Sequence, residues 1–131
     1  MFTEYGLSLL TLATCVEGTE ILDLLLVSGA NPDLADEYGA TSLIRACSRG
    51  HAEAARRLLL AGAAVDSREE RGLTALMFAA KGGHHEIVRM LLDGGADPTL
   101  KDNEGQTAFD LAAGDEVKAV LTERTPEREA T

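Results

Sequence analysis

The sequence has no tryptophan, and aromatic residues make up only 4% of its 131 residues. A core must therefore be built from Leu, Ala, Ile and Val, and the abundance of Leu and Ala favours helices. Two cysteines without a CxxC spacing exclude a disulfide-dense scaffold. No apolar run approaches the roughly 20 residues that a membrane-spanning helix needs. The chain is long enough for one domain with a continuous core and too short for two.

Lysine and arginine are absent from residues 1–44, which carry seven acidic residues. Residues 45–89 carry eight basic residues against five acidic ones, and the whole chain has a net charge of −10. This balance excludes a typical nucleic-acid binder, which needs clustered Lys and Arg to neutralise phosphates. An acidic end beside a mildly basic middle indicates instead a surface that orients a charged partner on approach.

The N-terminus lacks the basic stretch before an apolar run that marks a signal peptide. Together with the low cysteine content, this predicts a reducing, cytoplasmic location.

What the chain does have is a period of 33 residues, carried without a gap by glycines. The repeated positions are Gly6, Gly39, Gly72 and Gly105, then Ser8, Thr41, Thr74 and Thr107, then Leu10, Leu43, Leu76 and Phe109, then Ala13, Ala46, Ala79 and Ala112. Later in each unit come paired leucines, as in Leu91-Leu92, and a Gly-Ala pair, as in Gly95-Ala96.

Each repeated position has a physical role. The glycine permits a tight turn, and the Ser or Thr two residues later predicts the N-cap of a first short helix. Gly50-His51 and Gly83-His84 separate it from a second helix with apolar residues at helical spacing. Gly29, Gly62 and Gly95 then predict left-handed ends, followed by polar loops. Leu25, Leu58 and Leu91 are predicted to face the core.

The stretch that runs from Gly72 through Gly83-His84 to Pro98 closely resembles the ankyrin repeat. The resemblance covers about residues 6 to 121 and implies an all-α solenoid of four stacked helix–turn–helix units with β-hairpin-like loops. We expect one domain over residues 1–121, with repeats at about 6–38, 39–71, 72–104 and a shortened 105–121. Residues 122–131 are predicted to form a charged, frayed tail.

Residues that carry chemistry are few. His84, His85 and Glu86 invite a metal-site hypothesis, but adjacent helical histidines point about 100° apart, and a structural role for His84 and His51 is favoured. Cys47 is predicted to fill the core, whereas Cys15 is expected to be more accessible. The acids from Asp33 to Glu37 do not have EF-hand spacing and are interpreted as a solvated loop tip. No catalytic residue, metal or cofactor is predicted.

The resemblance implies that binding occurs at the loop tips, hereafter the finger tips, and at the exposed edge of the first helices. The positions that differ between units there are Tyr5, Leu7, Glu37, Tyr38, Ala40, Ser48, Arg49, Glu70, Arg71, Leu73, Lys81, Asn103, Glu104 and Gln106. Tyr38 is the preferred anchor, because tyrosine offers a large contact area and a hydrogen bond at little entropic cost. Tyr5 has an alternative role in covering the end of the stack.

These observations predict a non-catalytic protein-interaction module, a stand-alone adaptor or inhibitor that is monomeric by itself and binds another protein, not nucleic acid or membrane. One alternative is a self-associating structural protein, whose acidic first repeat packs against the basic centre of another copy. The least favoured alternative is an enzyme with a cryptic site around Cys15 or His85.

Overall fold

The computed structural model describes Ala13 and residues 18–124, and this part of the chain is helical and contains no strand. The helices are α1 (Glu20–Val27), α2 (Ser42–Arg49), α3 (Ala52–Leu60), α4 (Ala75–Lys81), α5 (His85–Asp93), α6 (Ala108–Leu111) and α7 (Asp115–Glu123). None of these helices is long and apolar enough to cross a membrane. Tyr5, Leu7, Cys15 and the predicted tail beyond residue 124 lie outside the described residues.

The three described first helices, α2, α4 and α6, follow a threonine N-cap, as the repeat predicts, and Ser8 lies outside the described residues. The side chains of Thr41, Thr74 and Thr107 each accept a hydrogen bond, 3.3 Å long, from the backbone N–H three residues on. This bond satisfies one of the N–H groups that a helix start leaves without a partner. Two residues before each threonine, Gly39 and Gly72 have φ of 81° and 82°, a conformation that favours glycine.

The second helices α1, α3 and α5 end in the predicted glycine cap, whereas α7 ends with Arg124 as its C-cap. Gly29, Gly62 and Gly95 have φ of 94°, 90° and 97°. The N–H of the following alanine reaches back over the last turn in each unit, for example from Ala96 to the carbonyl of Leu91 at 2.9 Å. This is the Schellman arrangement, which satisfies carbonyls that the helix end leaves open.

The helix pairs stack in two layers. The first helices pack in the order α2, α4, α6, and the second helices in the order α1, α3, α5, α7. Ala46 and Ala79 are fully buried where first helices approach closely, and Leu58 and Leu91 are fully buried in the second layer. Leu25 packs against this core but is only partly buried. The predicted core register is therefore confirmed.

The fourth unit is shortened where the sequence predicts. Helix α6 has only four residues, and α7 begins at Asp115, 30 residues after α5 begins at His85. In this register Lys118 and Thr122 replace Val88 and Leu92, and both are exposed. The last described helix consequently presents polar residues where the earlier ones present apolar residues to the next unit.

Candidate functional site

Each finger turn is closed by a carboxylate at a fixed place in the repeat. Asp36 accepts hydrogen bonds from the backbone N–H groups two and four residues on, at 2.9 and 3.1 Å. Glu69 does the same at 2.7 and 3.0 Å, and Asp102 at 2.9 and 2.9 Å. Because one carboxylate oxygen accepts two backbone hydrogen bonds, the path of the turn is fixed. The direction in which the tip residues point is fixed with it.

Asp36 is a buried member of this series. Its side chain is 1% exposed, and its Oδ2 lies 2.6 Å from Nη2 of Arg45. Burial opposes ionisation of the carboxyl, but the hydrogen bonds from Arg45 and from the backbone N–H groups of the turn outweigh it and hold the pKa of Asp36 below its ordinary value. The interpretation of Asp36 as part of a solvated tip is therefore wrong, because the carboxylate is occupied inside the turn.

Neighbouring finger tips are joined through their backbones. The N–H of Glu70 donates to the carbonyl of Tyr38 at 2.8 Å, and the N–H of Asn103 donates to the carbonyl of Arg71 at 3.0 Å. The side-chain amide of Asn103 also donates to the carbonyl of Glu70 at 3.1 Å. The tips thus form a continuous row in which the side chains of Tyr38 and Arg71 are not needed for the connection.

A cleft lies between this row and the first helices α2 and α4, with a volume of about 260 Å³. Its lining comprises Tyr38, Ala40, Ile44, Arg45, Ser48, Glu69, Glu70, Arg71 and Phe78. The structure thereby brings together five residues of the predicted surface, namely Tyr38, Ala40, Ser48, Glu70 and Arg71.

Sequence reasoning missed four residues that line this cleft: Ile44 and Glu69, which are buried, and Arg45 and Phe78, which are partly exposed. Arg45 and Phe78 lie 33 residues apart, at equivalent positions of α2 and α4, and the side chain of Arg45 is 31% exposed. Both occupy the same position of successive repeats, and they differ in type. The criterion of variation between units would therefore have identified them. The fourth residue after the N-cap threonine was assigned to neither the core nor the edge of the first helix.

Other predicted residues flank the cleft. Glu37 and Glu104 are exposed at their tips, and Gln106 is partly exposed. Arg49 and Lys81 are exposed as the last residues of α2 and α4. Within residues 18–124 no carboxylate lies within 4.0 Å of either cation. A basic edge therefore borders the cleft on the helix side.

The comparison with protein families agrees with this architecture. The family model for ankyrin repeats (3 copies) matches residues 10–102 and again residues 57–125. The chain belongs to the ankyrin-repeat family. A comparison with curated proteins finds no match. Ankyrin repeats are general protein–protein interaction modules and are typically not catalytic, and the expected all-α ankyrin fold is confirmed.

Two residues of the predicted surface of the ankyrin stack are misplaced by sequence reasoning. Ala40 and Leu73 are only 3% and 5% exposed, and both belong to the core. They follow the turn glycine directly, where the chain bends back from the tip towards the first helix, so their side chains pack inward. The expectation that both side chains are exposed at the surface is therefore wrong.

Cys47, His84 and His85 occupy structural positions in the described part of the stack. Cys47 is fully buried, and burial raises the pKa of its thiol to about 12, so the thiol stays protonated at neutral pH. The ring of His84 packs against Gly50 and Gly82, where an added methyl group would meet its atoms at 2.7 and 2.5 Å. Nδ1 of His85 lies 3.2 Å from Oε2 of Glu116, which links α5 to α7. The described residues contain no group of three potential ligands placed to hold a metal ion.

Proposed function

We propose that this ankyrin-repeat protein is a non-catalytic adaptor or inhibitor that acts in the cytoplasm by binding a partner protein in the cleft between its finger tips and helices α2 and α4. The observation that carries the proposal is the placement of Tyr38, whose side chain is 52% exposed at the edge of this cleft. An exposed aromatic side chain beside a concave surface is typical of a binding anchor.

The backbone around Tyr38 supports this role. Its N–H is bonded to Asp36 and its carbonyl to the N–H of Glu70, so the residue is held on both sides while its ring is left to solvent. A contact residue that is already ordered loses little entropy when the partner binds. The backbone entropy of Tyr38 is therefore already lost when the protein folds, and not when the partner binds.

The charges around the cleft indicate the chemistry of the partner. Arg49 and Lys81 form its basic edge, and Arg71 stands at its tip with a side chain that is 61% exposed. Arg71 is already paired with the buried Glu69, with its Nε 3.3 Å from Oε2, so the two edge cations are the ones that an opposing carboxylate meets first. A partner segment with an apolar group for the cleft and acidic residues beside it fits this arrangement.

A capture experiment tests the proposal. The protein and a variant with Tyr38→Ala, Arg49→Ala and Arg71→Ala are used as bait in an extract of the native host. A matched control carries Lys118→Ala, Thr122→Ala and Glu123→Ala, three exposed changes on α7, away from the cleft. Partners retained by the wild type and control but lost from the cleft variant support the proposal. Equal capture by all three baits contradicts it.

A further inference from the structure

Six residues around the cleft form three pairs of equivalent positions in two successive units. The pairs are Tyr38 and Arg71 at the finger tips, Arg45 and Phe78 on α2 and α4, and Ser48 and Lys81 one helical turn further along the same helices. The members of each pair differ in chemistry, so the two units present different side chains at the same place. A segment that crosses from α2 to α4 therefore meets a cation on one side of the cleft and an aromatic ring on the other.

The α2 side of the cleft is suited to a carboxylate. Arg45 and Arg49 lie four residues apart and therefore on one face of the helix. Nε and Nη2 of Arg45 donate to Oδ2 of Asp36 at 3.2 and 2.6 Å, which holds this guanidinium in one orientation. Within residues 18–124 no carboxylate lies within 4.0 Å of Arg49. A partner's carboxylate over α2 can therefore pair with Arg49 beside a second, ordered guanidinium.

The α4 side of the cleft is suited to an apolar side chain. Phe78 packs against the core, but its ring is only partly buried. The half-exposed ring of Tyr38 lines the same cleft, and the buried Ile44 contributes to its lining. An aliphatic or aromatic side chain of a partner would remove apolar surface of both rings from water.

The distance between the two sides favours one backbone conformation of the segment. Helices α2 and α4 pack on each other through the fully buried Ala46 and Ala79, and the axes of packed helices lie about 8–10 Å apart. In a polyproline II segment, residues i and i+3 point in the same direction and lie about 9.3 Å apart. In a β-strand, residues on one face lie about 6.6 Å or about 13 Å apart, which does not match. An α-helix is about 10–12 Å across and too wide for a cleft of about 260 Å³.

We propose that the cleft binds a polyproline II segment of the partner protein, with a carboxylate over α2 at Arg49 and an apolar side chain, three residues away, over α4 at Phe78. This inference rests on the proposed function and extends it to the spacing between two recognised side chains. The carbonyl groups of a polyproline II segment have no internal hydrogen bonds. The hydroxyl of Ser48, which lines the cleft, offers them a donor.

Synthetic peptides of constant composition test the spacing. Each is a proline-rich peptide of about 12 residues, roughly four turns of polyproline II, with one Asp and one Leu placed two, three or four residues apart in either order. Binding is followed by NMR titration of the isotopically labelled protein, which detects weak complexes and shows which amides shift. In the order that binds more tightly, a spacing of three should exceed the other two spacings at least about fivefold, because only then do both side chains reach their contacts. Glycines in place of the two prolines between Asp and Leu should weaken binding several-fold, since a flexible segment must be ordered on binding.

Charge reversal tests the contact at Arg49. Arg49→Glu should weaken binding of the Asp–Leu peptide about tenfold or more, and it should bind a peptide with Lys in place of Asp more tightly than the wild type does. Lys118→Glu makes the same change of charge at an exposed position of α7, away from the cleft, and should affect neither peptide. Arg49 is exposed, so the variant keeps the fold, and circular dichroism melting checks this.

Several outcomes overturn the proposal. Equal affinity at all three spacings does so, as does tightest binding at a spacing of two or four, or a preference for three that Arg49→Glu leaves unchanged. Titrations in which no peptide shifts the amides around the cleft also overturn it, and so does tighter binding of a helical peptide with Asp and Leu seven residues apart. The capture experiment judges the proposed function separately, because a host partner lost only from the cleft variant still binds at the cleft, in another conformation.

Discussion

The first and third units carry closely similar residues at positions 66 apart, yet they use them differently. Ile21 is 57% exposed and Ile87 is 2% exposed, and Leu25 is partly buried where Leu91 is fully buried. The residues compared are identical in type, so the difference in their burial comes from their neighbours. In a stacked repeat, whether a side chain is buried depends on the interface between units and not on the sequence of its own unit alone.

The acidic turn residues also differ in their surroundings according to the neighbouring unit, although they occupy equivalent positions. Asp36 and Asp102 make the same two backbone hydrogen bonds, but only Asp36 has an arginine from the following helix against its second oxygen. In Asp36 the carboxylate that closes the turn therefore also forms a partly buried ion pair with Arg45 of the next unit. Four predictions compare such equivalent positions directly.

The largest expected effect is at the second-layer leucines. Leu91→Ala should lower the free energy of unfolding by about 2–5 kcal/mol, because it leaves a cavity between stacked units. Leu25→Ala should cost less than Leu91→Ala, since Leu25 has fewer neighbours to lose. Urea unfolding followed by circular dichroism measures both. Equal losses would contradict the difference in packing between the two units.

The next effect concerns binding rather than stability. Tyr38→Ala should weaken the complex with a captured partner by roughly 2 kcal/mol or more, as removal of an anchor does, with little change in melting temperature. Glu104→Ala, at the corresponding tip position of the third unit, should change affinity by less than about 0.5 kcal/mol, as expected at an interface rim. Calorimetric titration of both variants decides; an unchanged affinity for Tyr38→Ala would exclude this residue as the anchor.

A smaller effect is expected at the turn carboxylates. Asp36→Asn keeps the shape and loses the charge opposite Arg45, so it should destabilise the protein by about 1.5 kcal/mol at neutral pH. Asp102→Asn, with no cation within 4.0 Å in the described part of the chain, should cost less than about 0.5 kcal/mol.

The pH dependence of the Asp36→Asn effect follows from its lowered pKa. The folded state holds the pKa below the unfolded value of about 3.9, so the stabilising contribution is fully present above that pH. It is lost as the pH falls through the folded-state pKa, and the two proteins should then converge in stability. Denaturation at several pH values between neutrality and strong acid measures this; a constant difference at all pH values would mean that the charge of Asp36 is not involved.

The smallest expected effect is at Ile21, an exposed residue of α1. Ile21→Ser should change the free energy of unfolding of the isolated protein by no more than about 0.5 kcal/mol, because the side chain is largely in water already. Ile87→Ala, at the buried equivalent in α5, serves as the comparison and should cost about 2–5 kcal/mol. Thermal melts of both variants suffice. A large loss for Ile21→Ser would show that this side chain is already covered within the protein.

Much of the fold could be predicted because its signals are local and repeated. A threonine cap or a left-handed glycine depends on a few neighbouring atoms, so Thr41 and Gly62 could be assigned from spacing alone. The turn carboxylates were equally periodic at 33 residues, but Asp36 was grouped with its acidic neighbours and not with Glu69. Aligning the columns of the repeat would have revealed the series.

What could not be predicted depends on contacts between units. The burial of Leu73 and the exposure of Ile21 are set by how one pair lies on the next, which no single unit encodes. The cleft is likewise a product of stacking, since Phe78 and Tyr38 come from different repeats. Among the residues chosen because they vary between units, Glu37, Tyr38 and Glu70 are exposed at the tips, whereas Ala40 and Leu73 are buried at the bend just after them.

The backbone hydrogen bonds along the row of finger tips have a consequence for how such a protein changes over time. The bonds from Glu70 to Tyr38 and from Asn103 to Arg71 use main-chain atoms, which most substitutions leave in place. Mutation can therefore exchange the side chains of Tyr38 or Arg71 and alter what is recognised, while the scaffold that presents them is inherited unchanged. Selection for a new partner need not compete with selection for a folded protein.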